Sequence, residues 1–386
     1  MKKILYAASV PAHLKNFHVP YITALAEAGD RVWTLCSGKC ELPGVSQSVD
    51  LPLKKSLWAP GNFLSAVRLA GLLKRERFDL ICVHTALAAF FVRLAVLLAG
   101  KENAQVVNVV HGYLFDEKTN PLKRGLMLSA EMLLRRVTDR VAVMNHCDLE
   151  IAEKHRLGAE VVFIPGMGVD FHRFSLGNRA AFRQELRLGG GDLLLLFPAE
   201  FSARKNQEFL IKALAALPDN IYLALPGEGK QLDFCRKLAS DAGVAGRVYF
   251  PGQVGDLSGW YAAADICVSA SRYEGLPFNI MEGMYAGKPV VASRIKGHTD
   301  LIAEGAGGFL FGWNDREEFC DCIRTLTADP ELRRIMGEKN RASVQAYEIG
   351  RVFPQVLAAV AMQSTASAAE ETEFSAEKGS FSARES

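Results

Sequence analysis

No Cys-x-x-Cys pair occurs in this chain of 386 residues, although it carries eight cysteines. Cys36, Cys40, Cys82, Cys147, Cys235, Cys267, Cys320 and Cys322 lack zinc spacing, and several fall inside apolar strands. They read as small core hydrophobes of a reducing compartment. No apolar run reaches the roughly 20 residues that span a bilayer. The segment ALAAFFVRLAVLLA is interrupted by Arg93 and predicts a buried helix. No Gly-x-Gly-x-x-Gly follows the first strand, which argues against a dinucleotide dehydrogenase. There is no recognised nucleic-acid module either, and a pI near 8.1 is mild, so nucleic acid is disfavoured as a partner.

What is present describes a two-domain α/β protein. The chain is 49% hydrophobic and 23% charged, ordinary for a globular protein of this length. The apolar segments KILYAAS, RVWTLCS, LICVHT, VVNVVHG and RVAVMN alternate with amphipathic stretches. LLLLFPAE, IYLALPG, RVYFPG, ICVSAS and PVVASR repeat the plan. Such alternation predicts two parallel sheets. The opening MKKILYAAS reads as the first strand rather than a leader, because its apolar run breaks at Pro11 and His13. FIPGMGVDFHRF (residues 163–174) reads as the connection between domains of residues 1–165 and 166–344. YEIGRVFPQVLAAVA predicts a last helix, and residues 362–386 read as a disordered tail. Charge divides unevenly: 21 Lys+Arg against 15 Asp+Glu up to Pro165, and 24 against 28 beyond it. In the first half, basic residues gather beside apolar ones as Lys54, Lys55 and Trp58; Arg68, Lys74, Arg75 and Arg77; and Lys123, Arg124, Arg135 and Arg136. These suit an anionic membrane surface, or equally the solvated faces of ordinary helices.

The densest chemistry lies in YEGLPFNIME, residues 273–282. A strand (ADICVSAS) precedes it, and Pro277 suits the first turn of a helix, so the reading is strand, tight turn, helix. The turn aims the N–H groups of residues 276–280 and the positive end of the helix dipole outward, which suits phosphate. Glu274 stands at the mouth of the turn and Glu282 about two turns into the helix. By spacing alone they suggest a paired acid and base; as carboxylates they also accept hydrogen bonds from sugar hydroxyls.

The run YAAADICVSASRYEGLPFNIMEGMYAGKPVVASRIKGHTDLI resembles the C-terminal signature of family 4 retaining glycosyltransferases of GT-B fold. PAEFSARKNQ resembles that family's phosphate-binding strand-loop, and LPGEGK its following glycine turn, all in family order. The resemblance covers roughly residues 2–361. It implies two facing Rossmann-like domains with an interdomain cleft, the last helix (about 345–361) returning to the first domain. It implies that Lys205, with Arg204 beside it, binds a diphosphate. Glu274 would bind the donor sugar and Glu282 the ribose hydroxyls. The backbone of Gly275, Leu276, Pro277, Phe278 and Asn279 would hold sugar and diphosphate, with Gly227 and Gly229 allowing close approach to the nucleotide. A departing diphosphate needs a metal or fixed cations and N–H dipoles. The chain has no Asp-x-Asp pair and no metal-ligand spacing, so no metal or cofactor is expected, the nucleotide sugar (a UDP-sugar) being substrate. Glu200 stands where most relatives carry arginine. It is read as a hydrogen-bonding acid at a strand end and not as a phosphate ligand.

In the first half, His111 in VNVVHGYLFDEKTNPLKR resembles the family's cleft histidine. VPAHLKNFHVPY resembles the H…FHxPY form of enzymes that assemble exopolysaccharide or capsule repeat units. There His13 is the candidate for acceptor or general-base assistance, and His18 is read as packing. The resemblance implies retention of configuration, with front-face attack preferred because no residue declares itself a nucleophile. It also implies a saccharide acceptor on undecaprenyl diphosphate, met peripherally at the inner face of a bacterial membrane. Two alternatives stay open: a GT-B nucleotide-sugar 2-epimerase, and a non-catalytic donor-binding partner of another transferase. The order of YEGLPFNIME after LPGEGK, and the presence of Lys205, Glu274 and Glu282, favour transfer.

Overall fold

The computed structural model describes residues 1–54, 56, 59–117, 119–174 and 177–362. Two compact units form: Met1–Gly168 together with the chain from Ile349 onward, and Val169–Glu348. The expected tail, apart from Met362, lies outside the described residues, as do Lys55 and Trp58 of the first basic cluster.

The first unit is a seven-stranded sheet. Its strands are β1 (Lys3–Ala7), β2 (Arg31–Cys36), β3 (Val45–Asp50), β4 (Leu80–His84), β5 (Gln105–Val110), β6 (Arg140–Val143) and β7 (Glu160–Phe163), in the order β3-β2-β1-β4-β5-β6-β7. Every pairing is parallel. β1, β4 and β6 are apolar almost throughout because helices cover both faces of the sheet. The helix Ala86–Ala99 forms as expected, with Phe91, Val92, Ala95 and Val96 buried in the core beside β4. No described helix is long and apolar enough to cross a membrane. The helix Ile349–Val360 packs back here: the Arg140 guanidinium on β6 donates to the carbonyls of Ala358 and Ala359 at 3.1 and 3.0 Å. Tyr21 and Phe353 stack with ring centres 5.2 Å apart.

The second unit is a six-stranded parallel sheet. It comprises β8 (Leu193–Leu196), β9 (Ile221–Ala224), β10 (Val248–Tyr249), β11 (Ile266–Ser269), β12 (Val290–Ser293) and β13 (Gly308–Phe311), in the order β10-β9-β8-β11-β12-β13. Three strands escaped the sequence reading, and all three are sheet edges. β3 (VSQSVD) is polar and half exposed, β7 is four residues long, and β13 opens on glycine. Phe163, at the start of the expected connection, closes β7 instead. In each unit the strand order reverses once, between β1 and β4 and between β8 and β11. Loops leaving the carboxyl ends of strands diverge at such a reversal and open a crevice. The candidate residues gather at these two places.

Candidate functional site

In the second unit, Arg204 and Lys205 follow β8 on a short turn. Asn206, at φ 58°, swings the chain into the helix Gln207–Leu214. Glu274 follows β11 across the reversal. Lys205 Nζ donates to one Glu274 oxygen at 2.6 Å and Arg204 Nη1 to the other at 2.7 Å. Burial would raise the Glu274 carboxyl, but the two cations more than offset it and bring it down to about 2. Burial also lowers the Lys205 ammonium, against the opposing pull of Glu274. Two cations and one carboxylate leave a net positive charge on the loops just before the helix Phe278–Tyr285, whose N-terminus carries the positive end of its dipole. That combination suits a polyanion bearing hydroxyls.

The turn differs from the sequence expectation in two details. Pro277 is the N-cap, in extended conformation, not a helical residue. Glu282 is one turn into the helix rather than two. Its carboxylate is nearly buried and already held: Arg173 donates at 2.5 Å and the Tyr261 hydroxyl at 2.8 Å. Burial raises its pKa. Neither Arg173 nor Tyr261 carries a local signal of this role, although Arg173 stands in the connecting segment and Tyr261 opens the family-like run. Asn279 Nδ2 donates to the Pro198 carbonyl at 3.0 Å, tying the turn to the loop after β8. A Cβ at Gly297 would stand 2.3 Å from the Gly275 carbonyl, so the loop leading to His298 rests directly on the turn. His298 is buried and pushed down to about 4 by that burial.

Gly227 and Gly229 have a nearer reason to be glycine than approach to a nucleotide. With φ of 145° and 150°, a Cβ on them would meet the carbonyl oxygens of Ala199 and Phe201 at 2.1 and 2.4 Å. The two segments are laced together by Ala199 N–H to Pro226 and Phe201 N–H to Glu228. Glu200, between them, is exposed, and of the hydrogen bonding expected there it is the carbonyl, not the carboxylate, that receives Gln207 Nε2 at 3.0 Å.

In the first unit the reversal gathers histidines that sequence spacing kept apart. His84 ends β4, His111 follows β5, His13 lies on the helix Pro11–Phe17, and His18 caps it. His84 Nδ1 is 3.2 Å and His13 Nε2 3.4 Å from His111 Nε2. Tyr6 OH meets His18 Nδ1 at 3.0 Å, and Cys82 Sγ meets His84 Nε2 at 3.1 Å. His18 is therefore part of a polar cluster and not simple packing. Burial lowers every one of these imidazoles, His13 to about 4, so all are neutral near pH 7. His13 and His111 wall a cavity of about 440 Å³ whose remaining lining includes Phe63, Phe90, Phe115 and Leu126.

Residues 178–343 match the family described as Glycosyl transferases group 1, and residues 20–166 match the Glycosyl transferase 4-like domain. The protein named "Putative glycosyltransferase EpsD" of Bacillus subtilis (strain 168) is 31% identical over 363 residues, 92% of this chain and 95% of EpsD. The chain therefore belongs to the family 4 glycosyltransferases of GT-B type. A UDP-Gal:alpha-D-GlcNAc-diphosphoundecaprenol alpha-1,3-galactosyltransferase of Escherichia coli is 25% identical over 291 residues, covering 72% of this chain and 74% of that enzyme. In fold, the chain is similar to Anabaena Alr3699/HepE in complex with UDP-glucose (TM-score 0.73, 20% identity, covering 93% of this chain and 98% of that one). It is likewise similar to WaaG, a glycosyltransferase involved in lipopolysaccharide biosynthesis (TM-score 0.69, 18% identity, covering 93% and 99%).

Proposed function

We propose that this glycosyltransferase moves a hexose, with retention, from a UDP-sugar to a saccharide carried on a polyprenyl diphosphate, in bacterial exopolysaccharide or capsule assembly. The observation that carries the donor half is the buried Glu274 carboxylate held by both Lys205 and Arg204 at the β8/β11 reversal. Glu274 keeps lone pairs for a sugar hydroxyl. The surplus positive charge and the positive end of the helix Phe278–Tyr285 stabilise the departing diphosphate, as a metal does elsewhere. Glu282, fixed by Arg173 and Tyr261, is placed for ribose. Attack from the front face, guided by the leaving phosphate, needs no protein nucleophile.

The acceptor half rests on the first unit. His13 and His111, neutral at the wall of an apolar cavity, can take a hydrogen bond from the attacking hydroxyl, while the aromatic lining suits lipid-proximal parts of the acceptor. Phe63, Leu64, Val67, Leu122 and Leu126 are exposed on neighbouring helices, alongside the exposed Arg68, Lys74 and Lys123. This mixture suits peripheral contact with an anionic bilayer. UDP in the fold relatives and an undecaprenol-linked substrate in the Escherichia coli relative support both halves.

The test is to incubate the protein with a panel of labelled nucleotide sugars and lipid extracts, comparing wild type with Glu274→Gln and Lys205→Ala. Sugar transferred to lipid by wild type and lost in both variants is the expected result. Undiminished transfer in both variants overturns the site; donor converted without acceptor identifies an epimerase instead.

A further inference from the structure

Asn108 breaks the pattern of its own strand. In VVNVVHG it stands in the middle of β5, in register with Val83 on β4 and Val141 on β6, and the two residues on either side of it along the strand are all valine. It is 2% exposed, and its Oδ1 has no hydrogen-bond partner among the described residues. A strand covered on both faces favours an apolar side chain at such a position, and a carboxamide left unpartnered there costs stability. Residues that break a local rule in this way concentrate at functional sites. Asn108 lines the 440 Å³ cavity together with His13 and His111. Two other polar side chains of that lining are committed elsewhere: Thr85 Oγ1 meets Ser9 Oγ at 2.6 Å, and Glu131 receives Arg93 on both oxygens.

We propose that this cavity receives an N-acetylated amino sugar as the acceptor residue, with Asn108 hydrogen-bonded to its acetamido group. A carboxamide carries both an acceptor and donors, and an acetamido group answers either: its N–H donates to Oδ1, or its carbonyl accepts from Nδ2. The acetyl methyl then needs an apolar wall, which Phe90, Phe115 and Met127 supply in the same lining. A hydroxyl in place of the acetamido group could pair with Asn108 but has no methyl to set against that wall. A fully hydroxylated ring also brings more polar groups to an apolar surface than the lining can satisfy. The volume lies within the usual range for small-molecule pockets. This inference rests on the acceptor half of the proposed function and sharpens it. The lipid-proximal part that meets the aromatic wall is the amino sugar itself, and His13 and His111 keep their place toward its attacking hydroxyl. Asn108 is thus a specificity-determining residue for the acceptor.

The experiment titrates the full chain calorimetrically, without donor, using farnesyl diphosphate-linked sugars that differ in one substituent: N-acetylglucosamine against glucose, and N-acetylgalactosamine against galactose. In at least one pair, wild type should bind the N-acetylated probe roughly 10–100-fold more tightly than its hydroxyl counterpart, the range for leaving a buried amide unpaired. Asn108→Leu should bring that ratio close to one. Its thermal midpoint should hold or rise, because an unpartnered amide gives way to an apolar side chain of similar size. A merely structural asparagine would do the reverse, lowering the midpoint and leaving the ratio as it was. Equal binding within both pairs overturns the inference and leaves the transfer reading standing. So does a ratio unchanged in folded Asn108→Leu. Binding of none of the four probes overturns the inference together with the acceptor half of the proposed function.

Discussion

Lys205 and Glu274 lie on opposite sides of the β8/β11 reversal and meet at 2.6 Å. On the proposed function, the carboxylate that would face the sugar also positions the ammonium that would face the diphosphate, and neither can be replaced without disturbing the other. Glu274→Gln should cut transfer by about 10²–10³-fold, the range for losing one preorganised electrostatic contact. Because it strands two buried or half-buried cations, it should also cost roughly 3 kcal/mol in stability. Initial rates and urea unfolding of the same preparation check both.

Acid should lower the stability of the second unit over two pH windows. His298 has a folded pKa of about 4, below its ordinary 6.5. The unfolded chain therefore binds the extra proton between these values, and stability falls as pH drops from about 6.5 to 4. Glu274, at about 2 against an ordinary 4.5, adds a second loss as pH falls from about 4.5 towards 2. His298→Gln should flatten the loss in the first window by close to one proton, or about 1.4 kcal/mol per pH unit. Denaturant midpoints measured from pH 7 down to pH 4 would show it.

Arg93 is wholly buried inside an otherwise apolar helix, its guanidinium donating to both Glu131 oxygens at 2.9 Å. Glu131→Ala leaves that charge unpaired and should destabilise by about 3–5 kcal/mol, whereas Arg93→Met with Glu131→Leu should come close to neutral. Chemical denaturation of the three proteins distinguishes the cases.

Membrane contact predicts that Leu64→Ser, Val67→Ser and Leu122→Ser together weaken binding to anionic vesicles about tenfold. That is a loss of roughly 1.4 kcal/mol, small for three exposed apolar side chains. Vesicle co-sedimentation measures it. Transfer to a short, soluble acceptor should be unaffected, as none of the three lines the cavity.

The legible parts of the fold were those with strong local patterns. Central strands such as LICVH and LLLL are buried on both faces and read as apolar runs, while VSQSVD at a solvated edge carries no such signal. The motif residues Lys205 and Glu274 were legible, and their mutual contact is explained by the strand order. Partners contributed from a distance were not. Arg173 reaches Glu282 across 109 positions, and His13 reaches His111 across 98, with nothing in local spacing to announce either. Gly227 and Gly229 show the converse: their glycine identity was visible, but the Ala199 and Phe201 carbonyls that require it belong to another segment.

The bond from Arg140 to Ala358 joins residues 218 positions apart, enclosing the entire second unit between them. On a ribosome adding about 5–20 residues per second, the first sheet waits roughly 10–40 s for its closing helix. The second unit, contiguous in the chain, can finish folding in that interval. The domain synthesised first is thus the domain completed last. A chain stopped before Ile349 would carry an intact second unit beside a first unit with the seat for its last helix uncovered.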